Sequence, residues 1–321
     1  MRMVKGQGRP ECHIPFLFTI DVHRRANLEA EIRACLDELA RVNIVATFFL
    51  PATLIAEYRL GVIVRTIAAE GHQLACHGLL HRAPENLRED PVERQIEHLG
   101  QAKDLIEQAS GFEITAFRAP GFILSANTML ALEACGYRAD LSVNSQRFGL
   151  LSSQIDNIQW LTATRGPYHP SRGNPYRPGD LEIWEIPLTA LGLPFMSTLY
   201  QTLGLRFTRI FARAMIAEAR VRREHPVVYM AHPEEFYPSA HRRSRTYHLG
   251  RDPGPFGLLG WRLLLPRKDL GFPIRFLLYE TDERQIFANT QEFVRFLGEQ
   301  RRLEFLRVDD YLSRLEAAAG D

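Results

Sequence analysis

The chain has 321 residues, 45% of them hydrophobic, with 39 basic against 38 acidic side chains. So even a balance gives no electrostatic reason to expect nucleic acid or a generally acidic partner, while the apolar content is ample for a large core. Four cysteines, Cys12, Cys35, Cys76 and Cys135, are scattered without paired spacing, which argues against a disulfide framework or a cysteine-built zinc site and fits a reducing compartment.

Residues 1–14 are polar and expected to be flexible; they hold no apolar run of the secretory kind, so a cytoplasmic location is expected. Residues 16–23 read as a buried strand ending in Asp21 and His23, which the two-residue period of a strand places on one face while Val22 points away. Leu28, Ile32, Cys35, Leu36 and Leu39 recur at helical spacing as far as Arg41. Residues 44–50 form a β-branched and aromatic second strand, and residues 54–70 a second helix closed by Gly71. This alternation predicts a parallel sheet under helical cover.

His72 opens the third strand and is expected to be satisfied by backbone. His77 and His81 lie four residues apart, so a turn of helix would aim both imidazoles at one point and suit a divalent metal. A long amphipathic helix follows over residues 91–108, then a strand over 114–117 that runs into Arg118. A short helix over 127–135 ends at Gly136, and residues 137–142 make the fifth strand. Residues 152–180 are punctuated by Pro and Gly and rich in aromatics and arginines, a long loop of the functional kind. Residues 181–187 alternate like a strand. The uncharged run 186–205, broken by Pro187 and Pro194, reads as loop rather than membrane span.

A basic amphipathic helix over 207–223 leads to a strand over 227–230 and to His232 and Glu235, the latter expected to anchor the turn. A second irregular region spans 237–283. Within it the apolar, arginine-flanked stretch 257–267 would cover the barrel or meet a lipid carrier or membrane face. A helix over 286–300, a strand over 305–308 and a helix over 309–315 close the chain, with Asp309 and Asp310 as helix-capping residues. Four strand ends carrying ionisable side chains imply one site at one rim of a barrel.

The ordered blocks Thr19-Ile20-Asp21-Val22-His23, His77-Gly78-Leu79-Leu80-His81, Arg118-Ala119-Pro120 and His232-Pro233-Glu234-Glu235 resemble the polysaccharide deacetylases of the NodB-homology type. The resemblance spans roughly residues 15–235 and is closest to an Asp-Val-Asp branch. It implies an α/β fold, a distorted (β/α) barrel of about seven parallel strands forming a single domain over residues 15–321. It also implies His77 and His81 as metal ligands, Asp21 as catalytic base, Arg118 as the arginine orienting that base and His232 as general acid. Asp140 falls near a family aspartate, though a capping role suits it equally. Pro120 and Tyr168 are candidate pocket walls.

One position departs from the family pattern. Relatives place an aspartate ligand directly after the base or two residues after it, where this chain has Val22 and His23. His23 is on the correct face, so a three-histidine site with zinc, or else cobalt or nickel, is expected. The rival is a site that has lost its metal or its activity. The resemblance implies hydrolysis of an N-acyl group on an amino sugar, a nucleotide-sugar or a lipid-linked sugar at the inner membrane face. Relatives acting on cyclic imides and ureides make a small non-sugar C–N substrate the alternative. A carbohydrate-binding protein without catalysis is the competing class, and a homo-oligomer is compatible with either.

Overall fold

The computed structural model describes residues 13–82, 85–148, 157–222, 225–238 and 282–320. The apolar stretch 257–267, nearly all of the second irregular region, residues 149–156 of the first loop and the N-terminal residues 1–12 lie outside the described residues.

The sheet is carried by short runs that are buried on both faces. These are β1 (Ile14–Asp21), β2 (Ala46–Leu50), β3 (Gln73–Cys76), β4 (Ala116–Phe117) and β5 (Ala139–Asp140). A hairpin of β6 (Pro170–Ser171) and β7 (Asn174–Pro178) precedes β8 (Trp184–Glu185), and β9 (Ala190–Leu191) pairs with β10 (Leu193–Pro194). The last two strands are β11 (Val227–Ala231) and β12 (Leu303–Phe305).

Seven parallel strands run in the order β11-β1-β2-β3-β4-β5-β8 and form a curled half-barrel, with β12 added beside β1. The expected distorted (β/α) barrel is therefore what the chain builds. The gap between β8 and β11 is spanned by residues 188–197: Leu188 bridges to Asn144, Thr189 N–H donates to Val228 O, and Met196 bridges to Met230.

Helices α1 (Leu28–Arg41), α2 (Leu54–Glu57), α3 (Gly61–Ala69), α4 (Val92–Ser110) and α5 (Ala126–Ala134) follow the first strands in turn. Helix α6 (Thr198–Arg222) precedes β11, and α7 (Glu283–Gly298) and α8 (Val308–Gly320) flank β12. Phe16, Phe18, Phe48 and Tyr229 fill the space between sheet and helices, all at or near zero exposure.

Three expectations need correction. The single helix over 54–70 is two helices, because Arg59 takes a left-handed backbone (φ 55°) and Leu60 N–H turns back to Ile55 O. The uncharged run 186–205 is partly helical: Leu199, Tyr200 and Gln201 are buried in the first turns of α6, which breaks at Gly204 (φ 81°) before resuming. Asp309 does not cap a helix end. It lies inside the first turn of α8, where it accepts from the Thr115 hydroxyl while its N–H donates to Gln73 Oε1. His72 meets its expectation, accepting the Ala46 N–H at Nδ1 (3.1 Å), and burial lowers its pKa to about 4.

Candidate metal centre and active site

Parallel strands all end on the same side of a sheet, so side chains just past their C-termini meet at one rim. Asp21 is the last residue of β1, and Val22 continues the ladder by one bond to Phe49 O before His23 leaves it. Val22 is fully buried in the core, which leaves Asp21 and His23 on the other face as the strand period requires. His77 follows β3, Arg118 follows β4 and His232 follows β11.

His23, His77 and His81 each offer a ring nitrogen, and these three atoms lie within 4.8 Å of one another. Their ring centroids are 4.8–5.8 Å apart, and the His232 ring is 4.8 Å from that of His23. The convergence of His77 and His81 has a different origin from the expected helical turn. Past Cys76 the chain is a loop, with left-handed backbone at Gly78 (φ 81°) and at His81 (φ 54°). Glu85 holds that loop: its carboxylate accepts the N–H groups of Leu79, Leu80 and His81 at 2.9, 3.0 and 2.9 Å. A Cβ on Gly78 would come 2.8 Å from Glu85 Oε1 and 3.0 Å from Pro120 Cγ, so the glycine is required by both backbone and space. Half-buried Pro120 thus stands beside the histidine loop, a position consistent with a pocket wall.

The donor set suits a metal ion on its own evidence of unmet bonding. His77 Nδ1 donates to the Arg118 carbonyl oxygen (2.7 Å), which fixes its tautomer and leaves a lone pair on Nε2. Nε2 of His77 and Nε2 of His81 are both buried without a hydrogen-bond partner among the described residues. Burial lowers the pKa of both rings, that of His77 to about 3, so both are neutral at physiological pH. An unpaired buried acceptor costs about 1–3 kcal/mol, and a neutral imidazole lone pair is what zinc and its neighbours bind. Glu85, which no motif reading singled out, becomes testable here. Glu85→Ala is expected to weaken metal binding 10–100-fold, the usual cost of losing an outer support, as measured by competition with a chromogenic chelator.

Asp21 and Arg118 form a buried ion pair at 2.6 Å, with side chains 4% and 0% exposed. Arg118 is positioned from several sides. Its Nη1 also donates to Thr19 Oγ1, its Nε donates to Leu141 O, and its guanidinium lies 4.4 Å over the Phe49 ring. Burial alone would raise the Asp21 pKa, but the charge of Arg118, its hydrogen bond and the charge of His232 outweigh it, and the pKa is lowered. The carboxylate is therefore ionised at neutral pH.

His232 carries the opposite bias. Burial disfavours its cation, yet the hydrogen bond to Glu235 (3.2 Å) and the charges of Glu234, Glu235 and Asp21 prevail, raising its pKa to about 9. Glu235 does anchor the turn, accepting the His232 N–H at Oε2. It also orients the His232 ring, and is itself held by Ser197 Oγ (2.6 Å), Gln201 Nε2 (2.7 Å) and Tyr200 OH (3.2 Å). A carboxylate that stays charged and an imidazole that stays protonated thus face one histidine cluster.

Two expected site residues do not reach the rim. Asp140 is fully enclosed, accepting from Ser142 Oγ (2.5 Å) and pairing in register with Glu185 on β8. Burial and the neighbouring Asp140 charge push the Glu185 pKa well up, and burial raises that of Asp140 as well. With no exposed surface, Asp140 cannot bind substrate; it braces the strands that carry Arg118. Tyr168 is 5% exposed, donates to Pro175 O (2.6 Å) and bridges to the Glu185 backbone, so it packs the loop rather than walling a pocket.

Residues 17–139 match the family model described as polysaccharide deacetylase. No curated protein matches the chain. Among solved structures, a Mycobacterium smegmatis protein provisionally described as a polysaccharide deacetylase shares the fold at a TM-score of 0.60 and 17% identity, covering 98% of this chain and 94% of that one. A Pseudomonas aeruginosa PAO1 protein provisionally given the same description aligns at a TM-score of 0.55 and 13% identity, over 96% and 92%. The allantoinase Puue aligns at 0.57 and 14% identity, also over 96% and 92%. The matched stretch holds three of the four motif blocks, those at residues 19–23, 77–81 and 118–120, and the fold of the whole chain is shared with these structures.

Proposed function

We propose that this protein is a metal-dependent hydrolase that removes an N-acyl group, N-acetyl foremost, from an amino sugar, a nucleotide-sugar or a lipid-linked sugar. The observation that carries the proposal is the meeting of three imidazoles, two with unpaired buried Nε2 atoms, with an ionised Asp21 and a protonated His232. His23, His77 and His81 hold a divalent ion, zinc or else cobalt or nickel. When bound, that ion supplies Lewis acidity toward the acyl carbonyl and lowers the pKa of a water. Asp21, ionised and steadied by Arg118, takes the proton of the attacking water. His232, kept cationic by Glu235, gives its proton to the leaving nitrogen as the C–N bond breaks. The substrate resides in the cytosol or at the inner membrane face.

The likeness to an allantoinase fold makes a small cyclic amide the second substrate class to try. The deciding experiment is acetate and amine release from a panel of N-acetylated sugars, nucleotide-sugars and cyclic ureides by the metal-loaded protein. Its pH profile tests the roles. A general acid must be protonated, so the rate falls as pH rises through the His232 pKa, near 9. Glu235→Gln removes the main influence raising that pKa, and the alkaline limb is expected to move down toward 6.5. No release from any member of the panel would overturn the enzymatic reading in favour of carbohydrate binding alone.

A further inference from the structure

Helix α6 has two apolar faces, and among the described residues only one of them is covered. Thr208, Phe211, Ala212, Met215 and Ala219 are buried against β11 and α7. Beyond the break at Gly204, Phe207, Ile210, Ala214, Ala217 and Val221 recur at steps of three and four, and all are exposed, Ile210 at 64% and Val221 at 81%. Those steps line the five side chains along one ridge of about 21 Å.

Cations flank the ridge. Arg206, Arg213 and Arg220 follow one another at seven-residue intervals and are exposed. The ion pairs of the helix go to Arg209 with Glu292 and Arg222 with Glu218, which leaves these three without a carboxylate partner among the described residues. Arg213 and Arg220 further join Arg301 and Arg302 around a cleft of about 630 Å³ that has Glu299 as its one acidic side chain. Ile14 lines that cleft and begins β1, whose other end is Asp21, so the cleft lies at the end of the sheet away from the histidine rim.

Charge decides what could cover such a face. Residues 205–222 hold five arginines against one glutamate, so a second copy laid along the ridge would set like charges together. An exposed apolar line along a helix with guanidiniums at its flank is the form of an interfacial helix on anionic lipid. No helix among the described residues is long and apolar enough to cross a membrane.

We propose that α6 seats this protein on an anionic membrane surface, with the 207–221 ridge in the acyl boundary and the arginine cleft on lipid phosphates. The proposal does not depend on the hydrolase reading. Its test is co-sedimentation of the full chain with phosphatidylcholine vesicles, with and without 30% phosphatidylglycerol. Binding is expected only to the anionic vesicles and should weaken with added salt. Ile210→Asp with Val221→Asp should abolish it. Arg213→Ala with Arg220→Ala should weaken it roughly 30-fold, at about fivefold per cation. All four positions are exposed, and circular dichroism verifies that each variant folds. The proposal is overturned if anionic vesicles bind no protein or if zwitterionic ones bind it equally. It is also overturned if both double variants bind like the wild type, or if Ile210→Asp with Val221→Asp instead dissolves a dimer of a protein that ignores vesicles.

Discussion

Asp21→Asn is expected to lower turnover by about 10²–10⁴-fold while leaving sugar binding in place, because it removes the proton acceptor without changing the shape of the rim. The same change should destabilise the fold. It leaves Arg118 buried at 0% exposure opposite a neutral amide, and breaking a buried pair from one side costs about 3–5 kcal/mol. Thr19, Leu141 O and the Phe49 ring remain as partners, which favours the lower end of that range.

A pH series separates this loss from a packing defect. The folded pKa of Asp21 lies below its ordinary 3.8, so its ionisation stabilises the fold above 3.8 and that stabilisation is lost only as pH falls through the lower, folded value. Denaturant midpoints of the two proteins should therefore differ at neutral pH and converge in strong acid. A constant gap at every pH would mean that Asp21 is held by shape rather than by charge. Unchanged turnover would remove it as the base, and in a binding protein there would be no turnover to lose.

The rim was legible in the sequence because its information is local. A strand period of two assigns Asp21, Val22 and His23 to their faces, and each further motif block sits directly after an apolar run that can only be a strand. What stayed hidden depends on contacts between distant positions. The loop carrying His81 takes its shape from Glu85, a carboxylate meeting three backbone N–H groups, and no periodicity announces such a turn. Asp140 was legible as an aspartate within the fifth strand. Its burial against Glu185 follows from the β5–β8 register, which links residues 45 apart in the chain. The break between α2 and α3 at Arg59 was signalled only by Gly61 at the start of α3, and the early start of α6 was obscured by Pro194 before it and Gly204 within it.

The second large effect concerns His23, which stands where the resemblance implies an aspartate ligand. Purified protein is expected to carry close to one zinc, cobalt or nickel per chain by elemental analysis. His23→Ala should retain almost none, since losing a direct ligand exceeds the 10–100-fold cost of losing an outer support. His23 is only half-buried and lies past the end of β1, so the substitution leaves the core intact and the loss can be assigned to the site. His23→Asp sharpens the argument. A carboxylate at this position should restore binding with preference moved toward harder ions such as manganese, because nitrogen is exchanged for oxygen in the ligand set. Restored metal in His23→Asp but not in His23→Ala would assign ligation to position 23 itself. If the wild type takes up no metal even after reconstitution, the two buried Nε2 atoms of His77 and His81 have some other partner. The carbohydrate-binding reading then stands, with Asp21 and His232 retained only for structure.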